Sequence, residues 1–130
     1  MIVLDASAAL DLLLGTTPAA AGALDRVLAD SLHAPELIDL EIASALRRFV
    51  QMGELTPEQA RARLDAHASI RIERYRHAPL LPRIWQLRDQ LTAYDASYVA
   101  LAEALGCSLL TSDAALARAR GHGARVELLA

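Results

Sequence analysis

Short apolar runs alternate with amphipathic stretches along the 130-residue chain. The runs, at residues 2–4, 32–34, 70–75, 108–111 and 125–128, have the length and composition of strands. The stretches between them carry apolar residues at helical spacing. Strands that alternate with helices favour a parallel sheet covered on both faces, because each crossover helix buries its apolar side against the sheet. We therefore predict a three-layer α/β/α sandwich with a mostly parallel sheet of four to five strands.

Turn and capping residues predict where the helices begin and end. Thr-Pro pairs at residues 17–18 and 56–57 are typical helix starts, and glycines at 15, 53 and 106 are typical stops. One predicted helix directs Ile84, Trp85 and Leu91 inward, and another begins at Asp95. The predicted helices cover residues 7–15, 18–28, 38–53, 57–68, 79–91 and 95–105.

Length and composition predict one domain over residues 1–130. Although 54% of the residues are hydrophobic, charges interrupt them every few positions, so no apolar run reaches the ~20 residues of a membrane span. The first residues read as a strand rather than a secretory signal, and a single cysteine excludes an internal disulfide. We expect a cytoplasmic protein without a membrane partner.

The net charge of -3 is unusual for a protein that binds nucleic acid, because affinity for phosphates comes from basic residues. If several acids surround a bound cation, however, the remaining surface is nearly balanced. The sequence has no lysine, so all 13 basic residues are arginines, which suit bidentate phosphate contacts. Candidates for contacts with phosphates are Arg47, Arg48, Arg118 and Arg120; the alternative is that these are solvated helix charges.

Four acidic residues occupy positions where a site is expected. Asp5 and Asp113 directly follow apolar strands, and ligands of open parallel sheets bind beyond the carboxyl ends of strands. Asp95 lies at a predicted helix start, and Glu41 lies on the edge of an apolar helix stripe. Each acid has a simpler interpretation as a helix cap or exposed charge. If the four converge, their oxygens suit Mg²⁺ or Mn²⁺, and mutual repulsion is expected to raise the pKa of at least one carboxyl group.

The segments around these acids resemble the motifs of PIN-domain nucleases, and most closely the VapC-type toxins of VapBC toxin–antitoxin pairs. The resemblance covers essentially the whole chain, in order, spacing and length. The motifs are Met-Ile-Val-Leu-Asp5-Ala-Ser7-Ala, Glu41-Ile-Ala-Ser-Ala-Leu-Arg-Arg, Thr92-Ala-Tyr94-Asp95-Ala-Ser-Tyr98-Val-Ala-Leu-Ala and Leu110-Thr111-Ser112-Asp113.

The resemblance implies a PIN-like fold and Mg²⁺-dependent endoribonuclease activity, with Mn²⁺ able to substitute. It also implies a homodimer and a small VapB-type antitoxin that blocks the site. It assigns catalytic and metal-binding roles to Asp5, Glu41, Asp95 and Asp113, supported by Ser7 and Ser112. Some members carry a further Asp after the fourth acid, whereas Ala114 to Ala117 follow here, so the number of metal ions, one or two, stays open.

Other function classes fit the sequence less well. Haloacid-dehalogenase-type phosphotransferases, receiver domains and P-loop enzymes use a lysine to hold the phosphoryl group, and this chain has none. A Ser-His-Asp hydrolase needs a histidine near Ser7, but no motif places one there, and His33, His67, His77 and His122 are predicted in surface or turn positions. A catalytically silent PIN-fold binding module is the remaining alternative.

Overall fold

The computed structural model describes residues 1–15 and 17–129. Its strands are β1 (Ile2–Leu4), β2 (Leu32–Pro35), β3 (Ile72–Tyr75), β4 (Ser108–Thr111) and β5 (Val126–Leu128). Its helices are α1 (Ala6–Leu14), α2 (Pro18–Leu28), α3 (Ile38–Gln51), α4 (Pro57–Ser69), α5 (Leu81–Gln86), α6 (Ala93–Leu105) and α7 (Ala114–Arg118), with a 3₁₀ turn at Ala78–Leu80.

The five strands form one sheet in the order β3-β2-β1-β4-β5, with every neighbouring pair parallel. Ile2 of β1 is in register with Leu32 on one side and Ser108 on the other. Strands β2 and β3 therefore lie on one side of β1, and β4 and β5 lie on its other side. This reversal of strand order opens a crevice at the carboxyl ends of β1 and β4.

Helices cover the sheet, which confirms the predicted α/β/α sandwich. Helix α6 packs against β1, β2 and β4 and carries α5, whereas α1 contacts α2, α3 and α4. Every residue of α6 from Ala96 to Ala102 is buried, so this helix is the central helix on its face of the sheet. Within the described ranges no single helix is long and apolar enough to span a membrane; α1 and α2 pass that test only as a bent pair.

The start of α6 differs from its prediction in a way that matters for the site. The helix begins at Ala93, and its N-cap is Thr92, whose hydroxyl accepts a hydrogen bond from the Asp95 backbone N–H at 3.2 Å. Asp95 therefore lies inside the first turn instead of capping it. Because the threonine satisfies the exposed N–H group, the Asp95 carboxylate is left available for other contacts.

The predicted helix over residues 79–91 is wrong in its second half. In the structure this segment begins with the 3₁₀ turn and α5, and it continues as turns from Leu87 to Gln90. Ile84 and Leu87, three positions apart, face the core together, so Trp85 is directed outward and is 69% exposed. The Arg88 guanidinium covers its ring at 4.8 Å from the ring centre. The short helix α7 was also not predicted, because five residues are too few to show helical periodicity.

Two histidines predicted at the surface are buried instead. His33 lies between the Tyr75 hydroxyl and the Ser31 hydroxyl. His67 of α4 lies 2.7 Å from Asp39 of α3, which also forms a two-point ion pair with Arg74 of β3. The Arg74 guanidinium, and to a lesser extent His67, lower the pKa of Asp39. This cluster fastens the start of α3, the helix that carries Glu41, to α4 and the sheet.

Candidate active site

A cleft of about 270 Å³ lies at the carboxyl ends of β1 and β4, where the strand order reverses. All four sequence-predicted acids line it, and each comes from a different part of the chain. Asp5 is the N-cap of α1, and Asp113 is the N-cap of α7. Glu41 and Asp95 lie in the first turns of α3 and α6. The remaining lining residues are Ala6, Ser7, Leu10, Ala45, Arg48 and Tyr98.

Asp5 is the most deeply buried of these acids, at 4% exposure. Its Oδ1 accepts hydrogen bonds from the Ala8 backbone N–H at 2.9 Å and the Ser7 hydroxyl at 2.7 Å. Its Oδ2 accepts a hydrogen bond from the Thr111 hydroxyl. Burial raises the pKa of Asp5, these hydrogen bonds oppose the rise, and the charge of Asp113 adds to it. Asp5 is thus both a helix cap and the anchored acid of the cleft.

Thr111 and Ser7 form the polar support beneath Asp5. The Ser7 hydroxyl accepts from the Ser112 backbone N–H at 3.0 Å and lies 3.2 Å from the Thr111 hydroxyl, which accepts from the Asp113 N–H. The predicted supporting role of Ser112 therefore involves its backbone, since its hydroxyl is buried without a hydrogen-bond partner among the described residues. Sequence reasoning assigned no role to Thr111; the signal was a polar residue at the end of an apolar strand.

Glu41 contacts Tyr98, a second residue to which the sequence analysis assigned no role. The Tyr98 hydroxyl donates a hydrogen bond to Glu41 Oε1 at 2.7 Å, although the tyrosine itself is only 1% exposed. Burial is the main cause that raises the pKa of Glu41, and the charges of Asp95 and Asp5 raise it further, whereas the bond from Tyr98 lowers it. Burial, and then the bond to Glu41, raise the pKa of Tyr98.

Asp95 and Asp113 form the more open side of the cleft. No hydrogen-bond donor among the described residues reaches the carboxylate of Asp95, and burial, followed by the charges of Asp113 and Asp5, raises its pKa. Asp113 is exposed, and its Oδ1 accepts from the backbone N–H groups of Ala115 and Leu116. The pKa directions of Asp5, Glu41 and Asp95 agree with the sequence-based expectation, but burial, which the sequence did not reveal, is the larger cause.

The donor set has a chemistry that suits a hard divalent cation. It consists entirely of carboxylate oxygens, and Asp95, Glu41 Oε2 and Asp113 Oδ2 accept no hydrogen bond within the described residues. In those residues no group of three or more His, Cys, Asp or Glu side chains is arranged to hold one ion directly. Mg²⁺ commonly keeps several waters and binds through one or two carboxylates, so carboxylates spread around a cleft match its chemistry.

Only one of the four candidate arginines belongs to the cleft. Arg48 of α3 lines it beside Glu41, whereas Arg47, Arg118 and Arg120 are exposed elsewhere. Across residues 1–15 and 17–129, none of these four guanidinium groups takes part in an ion pair. Arg48 therefore lines the same cleft as the four acids without forming an ion pair with any of them.

Known proteins resemble the chain over most of its length. The PIN domain family model matches residues 2–121. The chain is 48% identical over 113 residues to VapC ribonuclease Mb0985 of Mycobacterium bovis, which covers 87% of this chain and 86% of that protein. It is 46% identical over 129 residues to ribonuclease VapC1 of Mycobacterium tuberculosis, covering 98% of this chain and 96% of the relative.

A solved structure shows the same fold. The crystal structure of VapBC2 from Rickettsia felis bound to a promoter DNA fragment contains a chain that matches with a TM-score of 0.72, at 15% identity and 98% coverage of both chains. That identity supports the architecture alone, whereas the family model and the two ribonucleases carry the assignment. The chain therefore belongs to the PIN-domain family and, within it, to the VapC ribonucleases.

Proposed function

We propose that this protein is a Mg²⁺-dependent endoribonuclease, the toxin of a type II toxin–antitoxin pair, with Asp5, Glu41, Asp95 and Asp113 as its metal site. The observation that carries the proposal is that these acids, from four separate segments, line one cleft at the switch point of the sheet. Burial, and to a lesser extent the charges of neighbouring carboxylates, raise the pKa values of three of them, so their ionised forms are incompletely solvated. A bound cation relieves that deficit.

Asp5, Glu41, Asp95 and Asp113 would hold a divalent cation that, when bound, would supply Lewis-acid activation of the scissile phosphate and of the attacking water. The side chains of the protein hold the cation and orient the RNA. Asp5 is the fixed member, because hydrogen bonds from Ser7, Ala8 and Thr111 hold both of its oxygens. Asp95 and Asp113 present free oxygens on the open side, where the RNA enters. Arg48 binds a phosphate next to the cleaved bond. Because water is the attacking group, no protein nucleophile is required.

Purified protein tests this proposal directly. We expect it to cut structured RNA with Mg²⁺ or Mn²⁺, to stop in EDTA, and to resume when Mg²⁺ is added in excess. Asp5→Asn should be folded and inactive, whereas Asp89→Asn, which changes an exposed acid outside the cleft, should cut normally. Undiminished cleavage in EDTA would refute the metal requirement. A folded wild type that cuts no RNA under any of these conditions would favour a silent binding module instead.

The same proposal includes partners. The chain's similarity to VapC proteins, and to a chain of the VapBC2 complex, supports a small VapB-type antitoxin that blocks the acidic cleft. A basic antitoxin segment suits it, because charge-assisted hydrogen bonds to carboxylates are strong. We also propose a homodimer in the cytoplasm, where RNA substrates are available. Light scattering at about 10–50 µM protein should give twice the monomer mass, since a dimer with an interface of ordinary size should stay associated at these concentrations. A monomer there would exclude the dimer.

A further inference from the structure

The contact between Tyr98 and Glu41 joins two helices across the cleft. Tyr98 follows Asp95 by three positions on α6, so both side chains lie on the helix face that lines the cleft. Its ring is buried, with 1% exposure, and only its hydroxyl reaches the carboxylate of Glu41 on α3, at 2.7 Å. Tyr98 thus contributes one hydrogen-bond donor to one oxygen of Glu41, and its ring is buried in the core.

This contact restrains the position of the Glu41 carboxylate. Because Oε1 accepts the hydrogen bond from Tyr98, the position of that oxygen is restrained, and Oε2 remains without a donor among the described residues. Glu41 is half-buried and has three side-chain torsions, so without an anchor its head group would sample several rotamers. Asp5 is held in the same manner by Ser7 and Thr111, which shows that anchored carboxylates recur in this cleft.

We propose that Tyr98 is a positioning residue for Glu41: its hydroxyl orients the carboxylate so that Oε2 faces the divalent cation. This inference rests on the proposed metal site and extends it to a residue with no ligand role of its own. Partners that orient metal ligands typically contribute 10- to 100-fold to metal affinity, so the effect expected is about that size.

The competing interpretation is purely structural. A buried phenol hydroxyl needs an acceptor, and Glu41 satisfies that need whether or not a metal binds. In that case, loss of the hydroxyl changes stability and leaves metal affinity unchanged. The two interpretations therefore differ in a quantity that can be measured without RNA and without turnover.

A double-mutant cycle on Mn²⁺ affinity separates them. Free Mn²⁺ is measured by electron paramagnetic resonance during titration of wild type, Tyr98→Phe, Glu41→Gln and the double variant. Phenylalanine keeps the buried ring and removes only the donor. We expect Tyr98→Phe to weaken Mn²⁺ binding about 10-fold or more. In the Glu41→Gln background the same change should have no further effect, because the group that it orients is gone. Tyr94→Phe, which alters an exposed tyrosine outside the cleft lining, is the matched control.

Each outcome of the cycle has a distinct meaning. If Glu41→Gln binds Mn²⁺ as wild type does, Glu41 is not a ligand and the proposed four-carboxylate site fails. If Glu41→Gln binds weakly but Tyr98→Phe binds normally, the site stands and the positioning role is refuted. Equal and additive losses would also refute it, since they would mean that Tyr98 acts independently of Glu41.

A second measurement leaves Tyr98 in place and observes it in the wild-type protein, with Glu41→Gln as the comparison. The chain has three tyrosines, so 3-fluorotyrosine labelling gives three ¹⁹F resonances to assign. Mg²⁺ should shift the Tyr98 resonance in wild type and leave it unshifted in Glu41→Gln. Tyr75 lies on the edge strand β3 and is hydrogen-bonded to His33 of β2, so it should not respond in either protein. A Tyr98 resonance that ignores saturating Mg²⁺ in wild type, while Mn²⁺ binding depends on Glu41, would overturn the inference.

Discussion

Thr111, the last residue of β4, donates a hydrogen bond to Oδ2 of Asp5, which directly follows β1. The two residues are 106 positions apart in the chain, and their strands are neighbours in the sheet. The backbone supports the same pairing, because the Asp5 N–H donates to the Leu110 carbonyl. The pairing of β1 with β4 therefore also brings the Thr111 hydroxyl to the most buried acid.

Replacement of Thr111 by valine should measure that anchor. Valine nearly keeps the shape of threonine but leaves Asp5 Oδ2, which is buried, without its donor. We expect the free energy of unfolding at pH 7, from urea denaturation, to fall by about 1–3 kcal/mol. Thr111→Ser keeps the hydroxyl and should lose less, since only a methyl group is removed. Equal losses in the two variants would show that packing, not the hydrogen bond, stabilises this position.

Asp95→Asn should stabilise the protein in EDTA near neutral pH. Burial and the charges of Asp113 and Asp5 raise the pKa of Asp95, so the folded state binds more protons than the unfolded state. Its contribution to stability is fully present below the unfolded pKa and is lost as the pH rises through the folded pKa. Removal of the charge should therefore add up to about 1 kcal/mol at pH 7, after solvent screening of a half-exposed group.

Thermal melts from pH 3 to pH 8 in EDTA check this sign. The advantage of Asp95→Asn should shrink as the pH falls through the raised pKa of Asp95 in the folded state, and it should be gone once the pH is below the ordinary range of an aspartate. A competing effect is the favourable interaction of Asp95 with the positive end of α6, worth about 0.3–1 kcal/mol. A variant that is less stable than wild type at pH 7 would mean that this interaction is larger than the repulsion within the cleft.

Mg²⁺ should reverse that ranking. Binding to the native state stabilises wild type by about 2.7 kcal/mol at a concentration 100 times the dissociation constant. Asp95→Asn and Asp113→Asn should gain much less in melting temperature, because each lacks one carboxylate of the cleft. The exposed-acid control Asp89→Asn should respond as wild type does. The absence of a Mg²⁺ shift in wild type, or equal shifts in all four proteins, would contradict a metal site in this cleft.

Arg48 and Arg47 offer a matched pair for RNA cleavage. They are neighbours on α3 and both exposed, but only Arg48 lines the cleft. A charge-assisted contact to a phosphate contributes about 1.5–3 kcal/mol, so Arg48→Ala should lower kcat/KM by roughly 10- to 100-fold. Arg47→Ala should change it by less than about threefold, as expected for a peripheral charge. Similar losses in both variants would place the RNA along the outer face of α3 instead.

The sequence by itself was sufficient to predict the five strands, most of the helices and the four acids that line the cleft. Strand and helix periodicity, threonine caps and glycine stops are local signals, and they predicted all five strands and most helix boundaries. The four acids were recognisable because Asp5 and Asp113 each follow an apolar strand and because the surrounding motifs resemble those of one family. That these acids line one cleft was an expectation until the strand order was known.

Only the tertiary structure decided what surrounds those acids. Thr111 and Tyr98 donate to Asp5 and Glu41 across separations of 106 and 57 residues, and no local pattern encodes such pairs. Trp85 was misassigned for a related reason: α5 packs against α6 with Ile84 and Leu87 buried, and this packing directs Trp85 outward. Local propensity depends on neighbours in the chain, whereas burial, hydrogen-bond partners and pKa shifts depend on which distant segments pack together.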